Sequence, residues 1–267
     1  MNDNEEGGVD MCKKLFFMLI VLAVVGLAVP ASAADYWKPG DWNGWATNVD
    51  QMTDNGDGTF SNTITGLVPG SRHEFKFYES ESETLYPGAG PGNSWFYADA
   101  EGSITIGLNT NTVNDGWLGQ TMRIGLSTDG SGAGWTLAGG FSDCGLGYPD
   151  WDISAATGLS MTDEGGGIYS RSLYLPMGGA PGWVGDPLNN TYPWKVAVTG
   201  TWDSISVDTR SVNTANAFVT VSPGMEVVTF NVDAYTGVVR IVVIPEPATI
   251  GLLALGGIMI RHMSRKR

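Results

Sequence analysis

The sequence predicts an all-β fold built from two tandem modules, and three observations carry that prediction. Apolar and polar residues alternate at period two in short runs, and no window longer than ten residues within 34–244 shows a helical period. The runs are separated by clusters of Gly, Asn, Asp and Pro, in a chain with 38 Gly and 13 Pro among 267 residues, which suits many short strands joined by turns. Finally, Met52-Thr53-Asp54-Asn55-Gly56-Asp57-Gly58-Thr59-Phe60-Ser61 recurs as Met161-Thr162-Asp163-Glu164-Gly165-Gly166-Gly167-Ile168-Tyr169-Ser170, an offset of 109 (161 against 52).

In the first copy, Thr59 to Thr65, Glu74 to Tyr78 and Ser103 to Leu108 read as strands. In the second, Gly167 to Leu175, Trp194 to Val198, Ala217 to Val221, Val227 to Val232 and Val238 to Val243 do so. Asp54 to Gly58 and Asp163 to Gly167 are hairpin turns by composition, because Gly and Asn accept the positive φ such turns require. At the offset of 109, Gly40-Asp41-Trp42 meets Pro149-Asp150-Trp151, and Phe75-Lys76-Phe77 matches Trp194-Lys195-Val196 after a ten-residue insertion. The modules are placed at 35–117 and 118–244, each short enough for an antiparallel β-sandwich of immunoglobulin-like architecture.

Both ends read as address labels, so the fold is expected to be flanked by an N-terminal signal helix and a C-terminal transmembrane helix. Lys13 and Lys14, the apolar run Leu15 to Val29 and Ala31-Ser32-Ala33 have the three parts of a secretory signal peptide, with cleavage set by Ala31 and Ala33. Residues 1–10 are acidic where a signal is basic, which predicts initiation at Met11 and makes 1–10 a non-native extension. At 245–267, Pro245-Glu246-Pro247 precedes an apolar stretch from Ala248 to Ile260 and the basic residues Arg261, His262, Arg265, Lys266 and Arg267, which favour the cytoplasmic side. That order resembles the PEP-CTERM sorting signal. The resemblance implies export through the inner membrane of a Gram-negative bacterium and transient anchoring there. Processing near the motif by an exosortase-type transpeptidase would then deliver the protein to the cell surface or the extracellular matrix. It also implies association with exopolysaccharide or biofilm.

Between the labels, residues 34–244 hold 23 acidic and 8 basic residues, a difference of −15. Such a surface cannot neutralise a phosphate backbone, so nucleic acid is not an expected partner. Cys144 is the one cysteine left there, so no disulfide forms within the exported part.

The series Trp37-Lys38-Pro39-Gly40-Asp41-Trp42-Asn43-Gly44-Trp45, Asn55-Gly56-Asp57-Gly58, Leu67-Val68-Pro69-Gly70 and His73-Glu74-Phe75-Lys76-Phe77 resembles the starch- and glycogen-binding modules of amylase and pullulanase families. The second copy matches that pattern more loosely. The resemblance implies a sandwich and carbohydrate binding, although many members of that group bind nothing. Sugar rings pack their C–H faces on flat aromatics, so exposed tryptophans beside polar groups are the residues to seek. Trp42, Trp151 and Trp194 read as core. Trp45, Trp95, Trp135 and Trp183 lie in Gly-, Pro- and Asn-rich surroundings without strand pattern and are the carbohydrate-binding candidates. Asp54, Asn55 and Asp57 offer hard oxygens to calcium, yet their spacing departs from the EF-hand and the second copy drops a carboxylate, so a plain turn is the competing reading.

No catalytic constellation emerges. His73 stands alone in the exported part, Gly125-Leu126-Ser127-Thr128-Asp129 lacks the last glycine of a nucleophile elbow, and Cys144 has no basic neighbour. No cofactor is expected. The sequence thus predicts a non-catalytic, surface-displayed protein that binds extracellular polysaccharide. The alternatives are a structural or adhesive matrix protein without a specific ligand and, third, a glycoside hydrolase.

Overall fold

A computed structural model of the chain describes residues 34–244 except 88–91, 120–121, 130–131, 145, 177–189, 208, 213 and 223–226. The expected signal segment with Ala31 and Ala33, the sorting segment with Pro245, Glu246 and Pro247 and its transmembrane helix, and Trp183 lie outside these residues. From Asp35 on, the described residues form one compact unit without an α-helix.

The first half contains β1 (Tyr36–Trp37), β2 (Thr53–Asp54), β3 (Thr59–Ile64), β4 (Arg72–Phe75), β5 (Phe77–Glu79), β6 (Thr84–Tyr86), β7 (Ser94–Tyr97), β8 (Ile104–Asn109) and β9 (Arg123–Leu126). The second contains β10 (Trp135–Gly139), β11 (Leu159–Ser160), β12 (Thr162–Gly165), β13 (Ile168–Tyr174), β14 (Thr191–Val198), β15 (Ser204–Ser206), β16 (Thr209–Ser211), β17 (Ala217–Thr220), β18 (Val227–Asp233) and β19 (Val238–Ile244). All pairings among them are antiparallel.

The two halves repeat one pairing scheme. The sheet β2-β3-β8-β9 has its counterpart in β12-β13-β18-β19. In the second half β14 is continuous, pairing with β17 through 191–194 and with β15 through 196–197. In the first half the same strand is divided at Lys76 into β4, which pairs with β7, and β5, which pairs with β6. Because β9 pairs with β8, the pairing of the first half runs on to Leu126, beyond the 117/118 boundary read from the sequence.

Both predicted hairpin turns are present. Thr53 pairs with Ser61 and Thr162 with Ser170, and the glycines between them take positive φ, for example Gly56 at 82° and Gly167 at 81°. The alternation does its expected work in β8, where Ile104, Ile106 and Leu108 are buried and Thr105, Gly107 and Asn109 between them are partly exposed.

The halves share a core. In β7, Trp95 and Phe96 point to opposite faces and both are fully buried. Phe96 packs in the first half against Phe75 and Trp42, at centroid distances of 5.8 and 5.6 Å. Trp95 joins the cluster of the second half, 6.1 Å from Trp135, with the Arg210 guanidinium 4.3 Å above its ring. Arg210 is itself fully buried and donates to the Ala234 carbonyl, and desolvation pushes its pKa down to about 10. Beside it, Asp203 accepts from Arg72 Nε and Nη2, both at 2.6 Å, and from the Tyr97 hydroxyl at 2.8 Å. Burial and that carboxylate push Tyr97 up to about 12. Asp203→Asn removes the charge from the buried partner of a bidentate pair whose Arg72 is partly exposed, and its expected cost, read by chemical denaturation, is about 1–3 kcal/mol.

Candidate functional site

The segment after β1 turns sharply and delivers one tryptophan to the surface. Asp41–Asn43 form a single 3-10 turn, in which Asn43 Oδ1 accepts from the Gly40 amide at 2.9 Å. Asp50 Oδ2 ties this turn down by accepting from Trp42 Nε1 at 2.8 Å and Asn43 Nδ2 at 2.7 Å. The turn ends at Gly44 (φ 66°), and Trp45 follows in the same left-handed region at φ 64°, its amide donating to the Gly40 carbonyl at 2.8 Å. For a bulky residue that conformation costs about 1–2 kcal/mol, so the surrounding contacts must enforce it.

Trp45 is 40% exposed and lines a cleft of about 240 Å³ with Pro39, Thr47, Lys76, Leu85 and Asn93. The Lys76 ammonium donates to the carbonyls of Pro87 (2.6 Å) and Gly92 (2.8 Å), which ties these two residues to the cleft, and partial burial lowers its pKa. Asn93 donates to Glu74 Oε2 at 2.6 Å. The cleft therefore presents an indole face beside amide and hydroxyl groups, a combination suited to a ligand with an apolar face and a hydrogen-bonding rim. A second depression of about 300 Å³ lies where Gly107 pairs with Gly125, and it offers hydroxyls and amides but no exposed indole.

Of the four candidate tryptophans, Trp45 alone is both described and exposed. Trp95 and Trp135 correct the sequence reading: they are 0% and 1% exposed and form the junction of the halves. Gly-rich flanks suggested loops, but both residues lie in strands covered on two faces, where runs such as Trp95-Phe96-Tyr97 are continuous rather than alternating. Trp194 is core as expected, whereas Trp42 and Trp151 are only half-buried.

One side-chain oxygen, Oδ1, of each of Asp54, Asn55 and Asp57 accepts a hydrogen bond within the hairpin. Asp54 accepts from the Gly56 amide, Asp57 from the Thr59 amide and hydroxyl, and Asn55 from the Ser61 hydroxyl. Among the described residues there is no cluster of three or more His, Cys, Asp or Glu placed to hold a metal.

One arrangement that sequence reasoning missed involves His73. Its Nδ1 donates to Asp41 Oδ1 at 2.7 Å and its Nε2 is hydrogen-bonded to Ser71 Oγ at 2.8 Å, the order of a nucleophile, base and acid. No signal reveals this in the chain, because Asp41 and Ser71 stand 30 positions apart and meet only through the fold. The Ser71 hydroxyl also donates to the Val68 carbonyl at 2.5 Å, and the adjacent amides of Gly70 and Ser71 bond to Ala98 and Val68, so neither is free to stabilise an oxyanion. Asp41 also accepts from the Glu74 amide, so the cluster fastens the turn that carries Trp45 to strand β4.

Neither a family model nor a curated protein matches the chain.

Proposed function

We propose that the chain is an exported, surface-displayed, non-catalytic protein of the extracellular polysaccharide matrix that binds carbohydrate through the Trp45 cleft. In this reading its halves are tandem immunoglobulin-like modules, and the Pro245-Glu246-Pro247 segment is a PEP-CTERM sorting signal recognised by an exosortase-type transpeptidase. The observation that carries the binding reading is Trp45, a strained left-handed tryptophan held 40% exposed in a cleft with Lys76 and Asn93. The excess of 23 acidic over 8 basic residues favours a neutral glycan over an acidic one, since like charges repel. The burial of Trp95, Trp135 and Trp194 favours the second reading, a matrix scaffold with no specific ligand.

Affinity electrophoresis of the purified protein in gels containing amylopectin, hydroxyethyl cellulose or alginate separates the two. A neutral glucan is expected to retard the protein, and Trp45→Gly is expected to weaken retardation at least tenfold. Because glycine relieves the left-handed strain, the variant is also expected to keep its unfolding free energy within about 1 kcal/mol of the parent. A folded protein retarded by none of the three polymers moves the assignment to the scaffold.

A further inference from the structure

We propose that the second half carries a second carbohydrate-binding site centred on Trp151, built on the same backbone frame as Trp45; the inference rests on the binding reading of Trp45. The frame is set by strand register. Gly40 bridges to Phe75 and Trp37 pairs with Tyr78, while Gly139 pairs with Trp194 and Thr136 with Ala197. Tyr36–Gly40 therefore takes the place of Trp135–Gly139, a shift of 99 (135 against 36). The hairpins that follow are related by 109, so ten residues are inserted after Gly139 and the 109 alignment of Trp42 with Trp151 does not hold in space.

Within this frame the two tryptophans behave alike. The Trp45 amide donates to the Gly40 carbonyl at 2.8 Å, and the Trp151 amide donates to the Gly139 carbonyl at 3.0 Å. Trp151 is left-handed at φ 50° as Trp45 is at 64°, and only three other non-glycine residues among those described share that region. A conformation this unfavourable for tryptophan, placed at one position of both halves, marks a feature kept by the turn rather than a local accident. Both frame glycines are needed for a close approach: a Cβ on Gly40 would enter the Trp42 ring, and one on Gly139 would stand 2.6 Å from the Phe141 ring.

A lysine also holds the same strand position in both halves. Lys195 follows Trp194 as Lys76 follows Phe75, and its ammonium donates to the Thr214 carbonyl at 2.6 Å, in the segment leading to β17. Lys76 holds Gly92, just ahead of β7, and β7 pairs with β4 as β17 pairs with β14. Trp151 is half-buried and is preceded by the exposed carboxylate of Asp150, an acceptor for ligand hydroxyls. The ligand class is that of the first site, a neutral glycan, and two such sites on one compact unit give a long polymer two points of attachment.

Isothermal titration of the whole protein with maltoheptaose and, in parallel, cellohexaose tests this. With the oligomer that binds, the expected stoichiometry is two per chain, falling to one in both Trp45→Gly and Trp151→Gly and to none in the double variant. Retention of the far- and near-ultraviolet dichroism of the parent establishes that each variant is folded. A stoichiometry of one that Trp151→Gly leaves unchanged and Trp45→Gly abolishes overturns the second site while the first stands. No heat with either oligomer overturns both.

Discussion

Trp95→Ala is expected to destabilise both halves of the molecule together, by about 3–5 kcal/mol, the range for deleting a buried large aromatic. The indole is fully buried, reaches from β7 into the core of the second half, and lies 6.1 Å from Trp135. It also forms the ring under the Arg210 guanidinium at 4.3 Å. That cation has Nε and Nη1 without hydrogen-bond partners, so the ring face is a main source of compensation for its burial. Truncation thus adds a cavity to an exposed electrostatic debt. Against the 5–15 kcal/mol typical of a whole domain the loss is severe, and for a chain of this size it corresponds to a fall in Tm of roughly 6–20 °C. Differential scanning calorimetry checks it: the parent is expected to unfold in a single transition, and the variant in a single earlier one. If part of the variant still melts at the parent temperature, the halves are independent and the shared core does not couple them.

The coupling explains which parts of the structure were legible in the sequence. Hairpins were readable because their signal is local: Asp54 to Gly58 and Asp163 to Gly167 contain the residues that positive φ requires. Strands with one covered face, such as β8, were readable through alternation. Strands covered on both faces were not, since Trp135-Thr136-Leu137-Ala138-Gly139 is buried throughout and shows no period. The fate of Trp95 and Trp135 was decided by a contact between residues 40 positions apart, which flanking glycines misrepresent. At the cleft, Trp45 was singled out correctly as exposed, but its partners Lys76 and Asn93 and the left-handed backbone belong to tertiary structure. The shared backbone arrangement of Trp45 and Trp151, offset by 106 (151 against 45), was hidden because the segments on either side are offset by 99 and by 109.

Register also identifies an unusual core position. Lys38 lies in the first half where Leu137 lies in the second, and both are buried, at 0% and 1% exposure. The Lys38 ammonium has no hydrogen-bond partner, and desolvation pushes its pKa down to about 8 from 10.5, a shift that the charge of Asp50 only partly opposes. A base with a lowered folded pKa leaves the unfolded chain holding the extra proton between pH 8 and 10.5, so in that window stability rises with pH. From the two values, the penalty is about 3 kcal/mol at pH 7 and falls by about 2 kcal/mol by pH 9.5. Tyr36, Tyr86, Tyr97 and Tyr169, all raised from 10 by burial and neighbouring carboxylates, oppose folding as the pH passes 10, which is above the two pH values compared and common to both proteins. Lys38→Leu, the residue that the second half uses, is therefore expected to be about 2–3 kcal/mol more stable than the parent at pH 7, with a gain of about 1 kcal/mol at pH 9.5. Urea unfolding of both proteins at the two pH values measures this. A variant less stable than the parent at pH 7, or a difference that does not shrink with pH, would show that the ammonium finds compensation in the core.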